Sequence, residues 1–82
     1  MWISQLFYSQ LWKNTNMIFK ERLKELRALK GLSQKELAAE TGLSFSAIGK
    51  WEAGVNEPSS QALIVLAKYF DESVDYLLGL TD

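Results

Sequence analysis

The sequence contains no cysteine and no histidine in its 82 residues. Without cysteine it forms no disulfide and offers no thiolate to a metal. Without histidine it lacks the commonest zinc ligand and the commonest general base near neutral pH. The usual hydrolase and metalloenzyme side-chain sets are therefore missing, and the expectation is a non-enzyme with no catalytic residue, no metal and no cofactor. No run of about 18 apolar residues is present, so no membrane span or membrane partner is expected. The apolar amino-terminal stretch has neither a basic start nor an unbroken apolar core, the two marks of a secretory signal. The expected setting is the cytoplasm of a bacterium or a phage host. A basic excess is also lacking: nine lysines and arginines against ten acidic residues leave a formal charge of −1, which mildly opposes a polyanionic partner.

The composition that remains, 48% hydrophobic and 23% charged, is that of a globular chain. Its length suits one domain with one modest core. Charge is unevenly placed. Residues 17–54 carry seven basic and five acidic side chains, whereas residues 55–82 carry one basic and five acidic. Only the first part suits a negatively charged surface.

Residues 1–16 differ from the rest. Ile3, Phe7 and Leu11 recur at helical spacing, while Trp2, Tyr8 and Trp12 lie off that stripe, so a helix here is apolar nearly all round and must be covered. The segment reads either as an additional helix, packed on its own domain or on a protein partner, or as a non-native start preceding Met17. From residue 17 onward the punctuation is regular. Ile18, Phe19, Leu23, Leu26 and Leu29 mark an amphipathic helix ending near Gly31. Ser33-Gln34-Lys35-Glu36 is a capping box opening a second helix that Gly42 closes near Thr41. Ser44 caps a third helix reaching about Ala53, closed by Gly54. Val55 to Pro58 form a loop. Ser59 caps a fourth helix with Leu63, Leu66, Ala67 and Phe70 on one face, and Ser73 caps a short fifth carrying Val74, Leu77 and Leu78. No strand pattern or internal repeat is present, so the fold class is all-α.

Two short helices joined through a glycine match a helix-turn-helix. Ala38 keeps the second and third helices close, Gly42 allows a positive φ in the turn, and Leu37, Leu43, Ile48 and Trp51 supply the apolar wedge. At about 100° per residue, Ala47, Ile48 and Trp51 share the inner face of the third helix. Phe45, Ser46, Gly49 and Lys50 then point outward, toward a groove. Lys50 suits guanine O6 and N7, Ser46 suits several bases, and Phe45 suits thymine methyl groups. Gly49 costs about 1 kcal/mol of helix stability, which fits a close backbone approach to DNA. Ser44 and the first amides of the third helix suit a phosphate, and Lys35 adds charge nearby. A core or dimer contact for Phe45 and plain solvation for Lys50 and Lys35 are the competing readings.

Leu32-Ser33-Gln34-Lys35-Glu36-Leu37-Ala38, Thr41-Gly42-Leu43-Ser44 and Ile48-Gly49-Lys50-Trp51-Glu52-Ala53-Gly54 resemble the Cro/CI-type (XRE-like) helix-turn-helix regulators of bacteria and phages. Pro58 and Val74-Asp75-Tyr76-Leu77-Leu78-Gly79 fit as well, so the resemblance covers residues 17–80 and not 1–16. It implies a five-helix, lambda-repressor-like domain that binds operator DNA as a homodimer, to which residues 1–16 add an apolar amino-terminal extension. It further implies that Gln34 grips phosphate and that Arg27 and Glu52 form a structural ion pair between the first helix and the end of the third. The resembling pattern carries basic residues after Gly54, where this chain has Val55, Asn56 and Glu57, and fewer phosphate contacts are expected.

The expected function is sequence-specific binding of double-stranded DNA by a transcriptional regulator, a repressor, with residues 45–53 as the recognition helix. Two alternatives stand beside it: an antitoxin that holds a toxin through residues 1–16, and a protein-interaction module that has lost DNA binding. Glu36 and Glu40 are spaced like paired carboxylates, but they read as a solvated face, as do Asp71, Glu72 and Asp75.

Overall fold

The computed structural model describes the backbone of residues 2–81 and the side chains of Gln10 and residues 13–81. It has five helices in the order α1 (Trp2–Leu29), α2 (Gln34–Thr41), α3 (Phe45–Glu52), α4 (Ser60–Phe70) and α5 (Val74–Leu78). There is no strand among the described residues.

Serine hydroxyls open four of these helices. Ser33, Ser44, Ser59 and Ser73 each sit in extended backbone and accept from the third helical amide, at Glu36, Ala47, Ala62 and Tyr76. Each bond satisfies one of the amides that a helix start leaves without a partner.

The first helix departs from the sequence reading. No break separates residues 2–16 from the stripe that follows; α1 is one helix of 28 residues. Its length of about 42 Å at 1.5 Å per residue matches the longest dimension of the molecule, 43 Å. The physical reason is that Asn14, Thr15 and Asn16 are weak helix formers costing under about 1 kcal/mol each, and neither glycine nor proline precedes Gly31. The expected stripe of Ile3, Phe7 and Leu11, with Trp2, Tyr8 and Trp12 beside it, lies outside the described side chains. A second departure is Leu29, which is 78% exposed. Helical rotation carries it about 80° away from Phe19, so Leu26 is the last α1 side chain to enter the core.

That core joins Phe19, Leu23 and Leu26 of α1 to Leu37 of α2, Ile48 and Trp51 of α3, Ala62, Leu66, Ala67 and Phe70 of α4, and Leu77 of α5. Phe19, Leu23, Leu37, Ile48, Leu66 and Leu77 are wholly enclosed, each contributing about 1.5–3 kcal/mol of transfer free energy. α1 packs on α3 and α5, and α4 packs on α5 and α2.

The carboxyl-terminal helix is held to α1 by tight steric fit and by Arg22. Gly79 takes φ +77°, and a Cβ there would stand 2.6 Å from Cδ1 and 2.7 Å from Cγ2 of Ile18. Arg22 donates from Nη1 to the Tyr76 carbonyl and to the Thr81 carbonyl at 3.2 Å. Its guanidinium also lies 4.2 Å from the centre of the Tyr76 ring, a cation–π contact. On the opposite side Tyr69 of α4 donates its hydroxyl to Glu40 of α2 at 3.2 Å, and Lys30 lies 4.5 Å from its ring centre.

Candidate nucleic-acid interface

The α2–turn–α3 unit is fixed from both ends. Ser33 Oγ accepts the Glu36 amide at 3.0 Å, and the Glu36 carboxylate accepts the Ser33 amide at 2.8 Å. That backbone bond holds the Glu36 carboxyl below its ordinary value. α2 closes on Gly42 at φ +76°, where a Cβ would meet nothing, so the glycine is there for its conformation. Thr41 staples the turn: its hydroxyl donates to the Leu37 carbonyl at 2.7 Å and accepts the Leu43 amide at 3.2 Å.

α3 is buttressed from beneath. Ile48 is wholly buried and Trp51 nearly so, with Trp51 edge-on to Phe19 of α1 at 6.3 Å between ring centres. Ala38, Leu43 and Ala47 are partly buried and pack against the core that these side chains enter. The opposite face is open: Phe45 is 54% exposed, and Ser46 and Lys50 are exposed beside it. Gly49 is different. It is half-buried, and Gln34 Oε1 lies 3.6 Å from where its Cβ would be. The start of α2 lies beside it, on the face of α3 that the helical period turns outward.

Of the three expected phosphate donors, Lys35 and Ser44 are exposed and Gln34 is half-buried. Gln34 Nε2 donates to Glu52 Oε1 at 3.0 Å, a bond between residues 18 positions apart that no sequence spacing signals. The same carboxylate receives Arg27 Nε on Oε2 at 2.7 Å and Arg27 Nη2 on Oε1 at 2.8 Å. Arg27 Nη1 continues to the Leu32 carbonyl at 2.8 Å. Glu52 is 3% exposed. Burial opposes its charge, but hydrogen bonds from Arg27 and Gln34, with the positive charges of Arg27 and Lys24, outweigh that cost and hold its carboxyl below the ordinary value. Arg27 is shifted in the complementary direction, upward, chiefly by its bond to Glu52. Such charge-assisted, bidentate bonds are the strong ones. They tie α1, the α1–α2 loop, α2 and α3 to one point.

The end of α3 holds groups the sequence did not single out. Asn16 Nδ2 donates to the Gly54 carbonyl at 3.5 Å, and the stem of Lys20 lies against Gly54. Beyond them Val55 is 69% exposed, and Asn56 and Glu57 are exposed too. Among the described residues no group of histidine, cysteine, aspartate and glutamate side chains is placed to hold a metal ion, and no helix is long and apolar enough to cross a membrane.

Comparison with known proteins agrees with this architecture. The helix-turn-helix family model matches residues 23–77. The uncharacterized HTH-type transcriptional regulator YobD of Bacillus subtilis is 42% identical over 62 residues, 76% of this chain and 55% of that protein. The HTH-type transcriptional activator BcrR of Enterococcus faecalis is 40% identical over 77% of this chain and 31% of its own length. The cryptic phage CTXphi transcriptional repressor RstR of Vibrio cholerae is 33% identical over 77% of this chain and 56% of its own. The chain thus spans a third to just over half the length of these relatives. No solved structure matches it. With the capped α2, the Gly42 turn and the buttressed α3 in place, the chain belongs to the helix-turn-helix family, in its Cro/CI-type form.

Proposed function

We propose that the chain is the DNA-binding part of a transcriptional regulator, a repressor, and reads the major groove of a specific operator with α3. One observation carries this reading: α3 buries Ile48 and Trp51 while leaving Phe45, Ser46 and Lys50 exposed on a helix held by the Arg27–Glu52–Gln34 cluster. A helix so fixed offers its side chains to base edges at low entropic cost. Lys50 donates to guanine, Ser46 to several bases, and Phe45 packs on thymine methyls. Gly49 contributes no side chain and lets the backbone pass close to the groove. Lys35, Ser44 and the second amide hydrogen of Gln34 take phosphates on either side. Two copies reading half-sites about 34–36 Å apart form a homodimer on a palindrome.

Site selection from a random duplex pool at about physiological salt tests this. Enrichment of a palindrome with half-sites one turn apart, and loss of preference at one base pair with Lys50→Ala, is the expected outcome. Weak binding without enrichment, vanishing as salt rises, would sink it. A protein-interaction module that has kept the fold and lost DNA binding is the second reading. It is favoured by the exposed Val55 and Glu57 just past α3, where a carboxylate repels phosphate.

A further inference from the structure

Five of the nine basic side chains lie on α1: Lys13, Lys20, Arg22, Lys24 and Arg27. Two of them are engaged within the fold, Arg22 by the Tyr76 and Thr81 carbonyls and Arg27 by Glu52 and the Leu32 carbonyl. The other three fall within about 40° of one another around the helix and make no ion pair or hydrogen bond with any described residue. Glu21 and Glu25 lie about 80–120° round from that stripe. Its inner end meets α3. Lys24 is exposed, and Lys20 is half-buried because its stem lies on Gly54, just past the end of α3. The charge of Lys24 acts on Glu52, which sits at the margin of α3, about 40° from the buried Ile48 and about 60° from the outward Gly49. Lys13 lies about 10 Å farther along α1 from Lys20. Past α3 the sequence supplies no cation of its own: no lysine or arginine occurs between Lys50 and Lys68.

We propose that Lys20 and Lys24 of α1 hold the phosphate backbone at the carboxyl-terminal end of α3, in place of the cations that the following loop lacks; this rests on α3 reading a major groove. That groove is about 12 Å wide, so the end of a helix seated in it comes up against a phosphate backbone. Val55, Asn56 and Glu57 offer no charge-assisted donor there, and the exposed Glu57 repels a phosphate. Positive charge at this end therefore comes from α1. Lys20 and Lys24 stand about 6 Å apart along the helix, more than the axial spacing of about 3.4 Å between phosphates of one strand, so they address separate phosphates. A compact charge on a flexible stem follows a phosphate without reading a base. The contact positions α3 and does not specify sequence.

The test is the affinity of the full chain for a fluorescent random-sequence duplex of about 30 base pairs, measured by anisotropy from about 50 to 200 mM salt. The parent is compared with Lys20→Gln, Lys24→Gln, the double variant and Lys68→Gln, a control exposed on α4. Each α1 change should lower the slope of log affinity against log salt by about 0.9 per bound protomer, and the double variant by about 1.8, while Lys68→Gln leaves it unchanged. Site selection with the double variant should return the base preferences of the parent, since phosphate contacts carry no sequence. Thermal midpoints close to the parent's show that the variants keep the fold. A second measurement needs no variant: acetylation of the parent, read by mass spectrometry, should slow at Lys20 and Lys24 but not at Lys68 when the duplex is added. A parent that binds the duplex with its salt slope untouched by the double variant, or with Lys20 and Lys24 unprotected, overturns this contact and leaves the role of α3 standing. A parent that binds no duplex at about 50 mM salt removes both.

Discussion

Glu52, at the last turn of α3, is 3% exposed and accepts three hydrogen bonds, two of them from Arg27 of α1. A buried carboxylate is tolerated only when its lone pairs are satisfied and its charge is met. The pair therefore does more than join two helices: it fixes the height at which α3 stands above α1, and Oε1, shared with Arg27 Nη2, orients Gln34.

Arg27→Ala should destabilise the domain by about 3 kcal/mol, because it strands a buried charge. For a domain this small that is a fall in Tm of roughly 12–24 °C. A thermal midpoint within a few degrees of the parent would refute the structural role.

The pH dependence has a definite sign. Glu52 is held below its ordinary value of 4.5 in the fold, so below that pH the unfolded chain takes up more protons than the folded one. Its contribution is present above pH 4.5 and is lost as pH falls through the depressed folded value. Urea midpoints should decline down this range in the parent and decline less steeply in Glu52→Gln, which starts from lower stability. Equal slopes would assign the acid limb to other carboxylates.

Gln34→Ala should cost about 1 kcal/mol of stability, one hydrogen bond to a charged acceptor that keeps its other donors. If Gln34 takes phosphate as proposed, the same change lowers affinity equally for all duplex sequences, with no change in salt slope because the side chain is neutral. Affinity lost at one base pair only would make it a base reader instead.

Three glycines separate strain from space. Gly79→Ala should be the most damaging, at about 2–3 kcal/mol, since it meets both a positive φ and the Ile18 side chain. Gly42→Ala meets only the positive φ and should cost about 1–2 kcal/mol. Gly49→Ala has helical backbone and ordinary contact with Gln34, and should stabilise the fold by up to about 1 kcal/mol. Chemical denaturation of the three variants gives the order. A loss of DNA affinity in the stabilised Gly49→Ala protein would show that the glycine serves the groove rather than the fold.

The serine caps, the glycine stops and the 3.6-residue spacing of α3 and α4 were legible in the sequence because each is a local rule: a hydroxyl three residues from an amide, a positive φ, an apolar side chain every third or fourth position. The helix-turn-helix and the outward placing of Phe45, Ser46 and Lys50 follow from those rules alone. Where α1 begins was not legible, because no strong breaker marks residues 14–16, and weak propensities leave the outcome to the rest of the chain.

Long-range contacts belong to the tertiary structure. Gln34 reaches Glu52, Asn16 reaches Gly54, and Arg22 reaches Tyr76, each joining residues that only the packing of helices brings together. Gly49 faces Gln34 for the same reason: helical rotation fixes its angle on α3, but which neighbour occupies that angle depends on how α2 crosses. Sequence determined the helices and the faces they show, since these rest on interactions within a few residues. Packing decided the polar cluster, since a buried charge exists only once distant segments have excluded water from it.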